Sequence, residues 1–366
     1  MIHHSRPLVL EPDIEAVAAT LRSGHLAGGE QVRKFESEVA KWSSQRGVVA
    51  TSSGTAALHL ALLALGVREG DEVVIPSYVC AAVLNAVHHA RGTAVLCDVD
   101  PETGNLDYTD ARRCFTSRTK AIIVPHMFGH PAEMNWVEGC EVPVIEDCAQ
   151  ALGARWQGQR VGSFGVLSVF SFYATKVITT GEGGMVCGSS PRLLEAMRDA
   201  RDYDGQSVYR VRYNYKMSDL QASLGLRQMA HLPAMLARRR AFADQYDASL
   251  AEAKVGRPAR QTGCDPIFYR YVVRVADVDR GQAAFARQSV ECKRPVFTPL
   301  HRQIGNQGRA FPGAEAIYSA ALSLPLYPAL QEEEARRVAS VARAVLGELG
   351  RSEGEPSVRS SQYAAA

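Results

Sequence analysis

Apolar positions along the chain keep two different rhythms. In residues 12–22, Ile14, Val17 and Leu21 recur at helical spacing, and Gly24 closes the run. A second helix is expected over residues 32–42. The stretch VVATSSGTAALHLALLALG then reads as a short strand, a Ser/Gly turn and an Ala/Leu-rich helix ending at Gly66. EVVIPS and AVLCDVD read as strands with the helix AAVLNAVHHA between them, and AIIVPHMFG, VPVIEDCAQ and VLSVFSF continue the strand series. Past Gly184, the strand MVCG leads to helical segments near 191–203 and 217–250. Short Val/Ile-rich runs alternating with helices predict an α/β fold, its mostly parallel sheet flanked by helices on both faces. In such sheets ligands gather at the carboxyl ends of the strands. Residues 51–55, Asp147 and residues 171–176 lie just past such ends and are expected to converge on one pocket.

Around residues 255–261 the texture changes. YRYVVRV, SVECKRPVF and a last helix over 332–349 suggest a smaller α+β domain. The expected division is a large domain over 1–244 and a small C-terminal one over 245–350. The final stretch, 351–366, has the polar, small-residue composition of a disordered tail. Arg238, Arg239 and Arg240 read as a solvated helix face rather than an anion site.

Composition narrows the function classes. The chain's 366 residues exceed one ordinary core, which favours two domains. Lys and Arg total 41 against 39 Asp and Glu, so no basic excess points to nucleic acid and no acidic block to a tail. The longest apolar runs stop short of the ~20 residues that cross a bilayer, and the first residues lack the plan of a signal peptide. A cytoplasmic protein that meets neither membrane nor nucleic acid is expected. None of the eight cysteines pairs at CxxC spacing, so they read as reduced thiols packed as small hydrophobes, with neither a zinc site nor a disulfide framework.

Against that background SVFSFYATKVITTGEGG stands out. An apolar run delivers Lys176 to a Thr/Gly-rich turn. An ammonium beside an apolar strand loses hydration, whereas the neutral amine can condense with an aldehyde to a Schiff base. Taken alone, Lys176 reads more readily as a solvated residue at a strand end. Asp147 closes the strand VPVIED, where it can either face a cationic ligand or cap the following turn. Glu146 next to it points the other way along an extended backbone. Ser52–Ser53–Gly54–Thr55 precedes a helix, whose free N–H groups and dipole suit an anion, and Ser171 and Asn214 could add donors. TTGEGG lacks the residue order of a P-loop and reads as a tight turn. Together these supply what pyridoxal 5'-phosphate requires of a protein: a lysine, a carboxylate for the ring nitrogen, a phosphate cup and walls for the ring.

SSGTAALHLALLALG, EDCAQALGA, FSFYATKVITTGEGG, YNYKMSDLQASLG and SLPLYP, in this order, resemble the DegT/DnrJ/EryC1/StrS family of sugar aminotransferases. The likeness runs from about Pro7 to about Leu349. It implies a fold-type I transferase dependent on pyridoxal phosphate, a homodimer with active sites at the subunit interface. It also implies an amino-acid donor, such as glutamate, and a keto-sugar acceptor linked to a nucleotide, in polysaccharide or secondary-metabolite biosynthesis. Lys176 matches the cofactor-bearing lysine and Asp147 the ring-nitrogen partner. Ala149 and Gln150 match positions lining the ring. Gly54, Thr55 and Ser171 match the phosphate cup, and Asn214 the asparagine that a neighbouring subunit sends to that phosphate. Glu182 reads as a turn or interface residue with no assigned role.

Two departures stand out. PSYVCAA places Cys80 where relatives often stack an aromatic ring, so that either Tyr78 compensates or the ring is held less tightly. HRQIGNQGRAFP lacks a tyrosine common in that loop, leaving His301 as a candidate substrate contact. A cyclitol or other ketone acceptor, a generic amino-acid transaminase and a non-catalytic regulatory member are the alternative readings. The dehydratase branch, which has histidine in place of the lysine, is disfavoured by Lys176.

Overall fold

Two helices, α1 (Glu11–Ser23) and α2 (Glu30–Ser43), lead into the first strand of a seven-stranded sheet, β1 (Gly47–Thr51). The chain then alternates through α3 (Gly54–Ala64), β2 (Glu72–Pro76), α4 (Ala81–His89), β3 (Thr93–Cys97), α5 (Tyr108–Arg113), β4 (Thr119–Pro125) and β5 (Val144–Asp147). The two-residue strands β6 (Arg155–Trp156) and β7 (Gln159–Arg160) precede β8 (Leu167–Ser171) and β9 (Gly184–Gly188). Helices α6 (Pro191–Arg201) and α7 (Asp219–Ser249) close this part. The computed structural model describes residues 1–251, 256 and 261–351. The tail expected to be disordered lies, from residue 352 on, outside the described residues, as does most of the stretch before 261 where the texture changes.

Strand order is β1-β9-β8-β5-β4-β2-β3. The sheet is parallel except that β9 runs against both β8 and β1. The connection between β8 and β9 contains no helix, and without the helical crossover that usually joins parallel strands the chain turns back alongside β8. The central strands are buried on both faces, as their unbroken Val/Ile runs foretell. Helix α3 is apolar on every side and buried from Ala56 to Leu62, wedged between the sheet and helices α4 and α6.

A smaller part follows: β10 (Cys264–Asp265), β11 (Tyr271–Arg274), α8 (Val278–Arg287), α9 (Leu300–Ile304), α10 (Pro312–Ala320), β12 (Ala321–Leu324) and α11 (Glu332–Arg351). β10 joins β6 and β7, and β11 pairs with β12. Its core takes in Tyr271, Phe285, Leu322 and Val338, together with Phe242 and Tyr246 of α7 and Ile2, whose strand-like bridge to Val290 ties down the N-terminus. Leu232, Met235 and Leu236, nearer the start of α7, pack in the core of the larger part. The position 244/245 thus falls inside one continuous helix that serves both cores.

The arginine run on α7 corrects a sequence expectation. Arg239 is only 2% exposed and donates to the carbonyls of Phe268, Tyr269 and Leu326, while Arg238 reaches the Leu330 carbonyl at 2.7 Å. Burial pushes the Arg239 guanidinium down to about 10. These arginines staple the helix to the smaller part. All eight cysteines are free, and most are buried or half-buried, but Cys80 is exposed. Among the described residues no helix is long and apolar enough to cross a membrane.

Candidate active site

The register of the sheet brings three chain segments to one level: Thr51 pairs with Gly184, and Gly184 with Ser171. The Ser53 side chain caps α3 by accepting the Ala56 amide at 3.1 Å. The amides of Gly54 and Thr55 stand ahead of it in the first turn, where no helical carbonyl can reach them. Glycine is needed here for close approach. A Cβ on Gly54 would lie 2.8 Å from the Ser171 Cβ, and one on Gly184 would lie 2.4 Å from the Ser53 carbonyl carbon. The result is an anion-binding corner made of free N–H groups, the positive end of α3 and the Ser171 and Thr55 hydroxyls.

That corner opens into a cavity of about 250 Å³, lined also by Val79, Cys80, His126, Asp147, Ala149, Gln150, Tyr173, Lys176 and Glu182. Lys176 sits half-buried in the turn after β8, its amide bonded to the Tyr173 carbonyl at 2.8 Å. No carboxylate among the described residues pairs with its amine, which lies 5.5 Å from the centroid of the Tyr269 ring. Asp147 is 9% exposed at the end of β5, and one of its oxygens accepts the Ala149 amide at 3.0 Å. The turn-capping role open to Asp147 is therefore real, but it uses only that oxygen. Burial raises the Asp147 carboxyl above the usual carboxylate range, against the opposing pull of the Ala149 amide, Lys176 and His126. Gln150 accepts the Phe128 amide at 2.9 Å, which fixes the orientation of its side-chain amide.

Glu146, the neighbour of Asp147, faces the opposite side. Its oxygens accept the amides of Gly162, Phe164 and Gly165, each at 2.7 Å, and the His126 Nε2 at 3.1 Å. His126 Nδ1 takes the Ala132 amide, so the proton lies on Nε2. His126, Glu146 and Cys148 also cluster closely enough to suggest metal ligands. Those hydrogen bonds already occupy the imidazole and the carboxylate, and burial keeps the Cys148 thiol well above its usual range. The cluster is a closed polar network.

Three candidates lie elsewhere. Tyr78 is wholly buried, edge-on to Phe128 in the core, and does not line the cavity. It cannot replace the missing aromatic wall, because its ring is packed in the core while Cys80, the cap residue of α4, lines the cavity. His301 is also diverted. Its Nδ1 meets the Ser77 hydroxyl at 2.5 Å, its Nε2 meets Glu315 at 2.7 Å, and its ring stacks on Phe311. With both nitrogens engaged it serves packing rather than substrate. Asn214 is exposed, between Tyr213 and Tyr215, whose rings stack 5.0 Å apart. His126 and Tyr173 were missed from sequence. His126 carried a readable signal, since it directly follows the strand that ends at Pro125.

The donor set fits pyridoxal phosphate: an unpaired amine for an aldehyde, a buried carboxylate short of a counter-charge, and amides for a phosphate. The family model for the DegT/DnrJ/EryC1/StrS aminotransferase family matches residues 9–343. The chain belongs to this family. It is therefore an aminotransferase, and its cofactor is pyridoxal phosphate. The aminotransferase is 33% identical over 324 residues to GDP-perosamine synthase of Escherichia coli O157:H7, covering 84% of this chain and 87% of that protein. It is 33% identical over 357 residues to the UDP-N-acetyl-3-dehydro-alpha-D-glucosamine 3-aminotransferase of Acidithiobacillus ferrooxidans, covering 91% and 97%. The crystal structure of the aminotransferase TlmJ from Streptoalloteichus hindustanus superposes with a TM-score of 0.90 at 32% identity, over 96% of this chain and 100% of that one.

Proposed function

We propose that this aminotransferase moves an amino group from an amino acid, glutamate in the simplest case, to a keto sugar carried on a nucleotide. The observation that carries the reading is the Lys176 amine, held without a carboxylate partner in the cavity that also contains Asp147 and the Gly54 and Thr55 amides. The nucleotide-linked substrates in the names of its relatives support the acceptor class.

Bound pyridoxal phosphate supplies an aldehyde that joins to amines and a ring that takes up the electron pair left by a departing proton. In this reading the Lys176 amine anchors that aldehyde and, once released, carries the proton between substrate carbons as acid and base. The Asp147 carboxylate holds a proton on the ring nitrogen. Burial that raises its own pKa also strengthens its attraction for a cationic partner. The Gly54 and Thr55 amides, with Ser171, hold the phosphate, while Ala149, Gln150 and Cys80 bound the ring. Residues 1–244 bind the cofactor, and 245–350 form the smaller part beside it.

We also read the active unit as a homodimer. Tyr203, Val208, Tyr209 and Val211 are exposed in the segment before Asn214, with Tyr209 at 91%, and a second subunit would cover such a segment. Exposed Asn214 then becomes available to the partner's phosphate corner. The free thiols fit a reducing cytoplasm.

Lys176→Ala tests the central assignment. The purified variant is expected to lose the visible absorbance of the lysine-bound cofactor and all sustained turnover with glutamate and nucleotide-linked keto sugars. A variant that still completes many cycles refutes it.

A further inference from the structure

Beside the lysine-bearing turn lies a second, open cleft of about 410 Å³, walled by His3, His4, Thr175, Arg270, Lys293 and Arg294. Thr175 directly precedes Lys176, so cavity and cleft share one turn of backbone. Cations outnumber carboxylates in its walls. Arg294 is held by Asp279 at 3.0 Å and the Tyr318 carbonyl at 2.8 Å. Lys293 meets Glu291, the single carboxylate lining the cleft, at 3.0 Å, and Glu291 also accepts the His4 amide.

Arg270 differs from both. Among the described residues no carboxylate pairs with it. Its guanidinium donates to His4 Nδ1 at 3.2 Å and to the Tyr269 hydroxyl at 3.3 Å, and lies 4.6 Å from the centroid of the Tyr269 ring. His4 can accept because its Nε2 faces the Ser323 hydroxyl at 2.9 Å. Burial above all, then Arg270 and Lys293, holds this imidazole neutral, down at about 3. Arg270 is thus a half-buried cation fixed by neutral partners, pre-aimed and short of counter-charge. The ring it rests on is the one that faces the Lys176 amine.

We propose that this cleft is the subsite for the diphosphate of the acceptor, with Arg270 and Lys293 as its cationic contacts. The proposal rests on the nucleotide-linked reading above. An amino donor carries its carboxylate next to the reacting carbon, so that charge must sit inside the lysine cavity. In a nucleotide-linked keto sugar the sugar ring separates the diphosphate from the reacting carbonyl. That separation matches a reactive amine in one hollow and surplus positive charge in the adjoining one. With Asp279 on Arg294 and Glu291 on Lys293, the charge of Arg270 is left unopposed among the described residues and suits an anion.

The test uses cofactor-loaded protein titrated calorimetrically with UDP, GDP, dTDP and inorganic pyrophosphate. In parallel, the half-reaction with glutamate is followed by cofactor absorbance. Arg270→Gln and Lys293→Gln are each expected to weaken diphosphate binding about tenfold, the loss of one charge-assisted contact. The glutamate half-reaction should suffer far less. Lys293, with a 53% exposed side chain, keeps the test decisive even if Arg270→Gln fails to fold. Diphosphate affinity that survives both substitutions overturns the cleft assignment alone. A loss confined to the glutamate half-reaction overturns it too, and hands the cleft to the donor. If the parent binds none of these probes, the nucleotide-linked reading falls together with the cleft.

Discussion

Glu146 and Asp147 are consecutive carboxylates on β5, both buried, and they face different regions of the molecule. Behind the sheet end, Glu146 meets the loop 162–165 and His126, and every lone pair it offers has a donor nearby. On the cavity side, Asp147 has one backbone amide, and its carboxyl is raised by burial. The pleat of the strand separates the two fates. A buried carboxylate with its full complement of donors builds structure. One left short of donors keeps an unsatisfied demand for positive charge, and such demand marks a functional position. Substituting each residue in turn should give opposite results.

The largest effect is expected at Asp147. Asp147→Asn should lower kcat by about a thousandfold, the scale of losing a buried electrostatic partner of the reacting system. Its stability behaviour should run the other way. With its folded pKa raised, Asp147 contributes stability at low pH that is lost as pH rises through that raised value. At neutral pH its charge therefore costs stability in the cofactor-free protein. The cofactor-free Asp147→Asn variant should melt no lower than the parent in thermal unfolding. Retained turnover, or a marked drop in melting temperature, would place Asp147 with Glu146 as a structural residue.

Glu146→Gln should show the reverse pattern. A glutamine NH2 would confront backbone amides that need acceptors, costing about 2–4 kcal/mol of stability in urea unfolding. Protein that stays folded and loaded should keep turnover within about tenfold of the parent, because Asp147 is only repositioned. A variant as stable as the parent but inactive would make Glu146 a participant in the chemistry.

The same contrast explains what could be read from sequence. Lys176, Asp147, Ser171 and Ser53–Gly54–Thr55 were legible because they sit at strand ends, and in a mostly parallel sheet those ends gather on one edge. Ala149 and Gln150 followed from the family motif. Tyr78 and His301 were not legible. The side chains that claim them come from remote segments, as with Ser77 and His301, 224 positions apart. The reversed direction of β9 is a matter of pairing, which MVCG does not encode by itself. Nor could Arg239 be separated from its half-buried neighbours before the carbonyls of Phe268, Tyr269 and Leu326 were brought around it.

His301 offers the finest division between packing and chemistry, and the smallest expected effect. Its Nε2 bond to Glu315 supplements the Arg302 guanidinium, and these two, Arg302 first, hold the Glu315 carboxyl down at about 2. A depressed carboxylate contributes stability above its ordinary value of 4.5, and that contribution is lost as pH falls toward 2. His301→Gln should therefore flatten the acid limb of the stability profile only slightly, since Arg302 remains. Loss of the buried Ser77 contact should cost about 1 kcal/mol at neutral pH. KM for the acceptor should stay within about twofold of the parent, because both ring nitrogens already point into the fold. A rise in KM of about tenfold or more without loss of stability would instead move His301 to the substrate side of the division that separates Glu146 from Asp147.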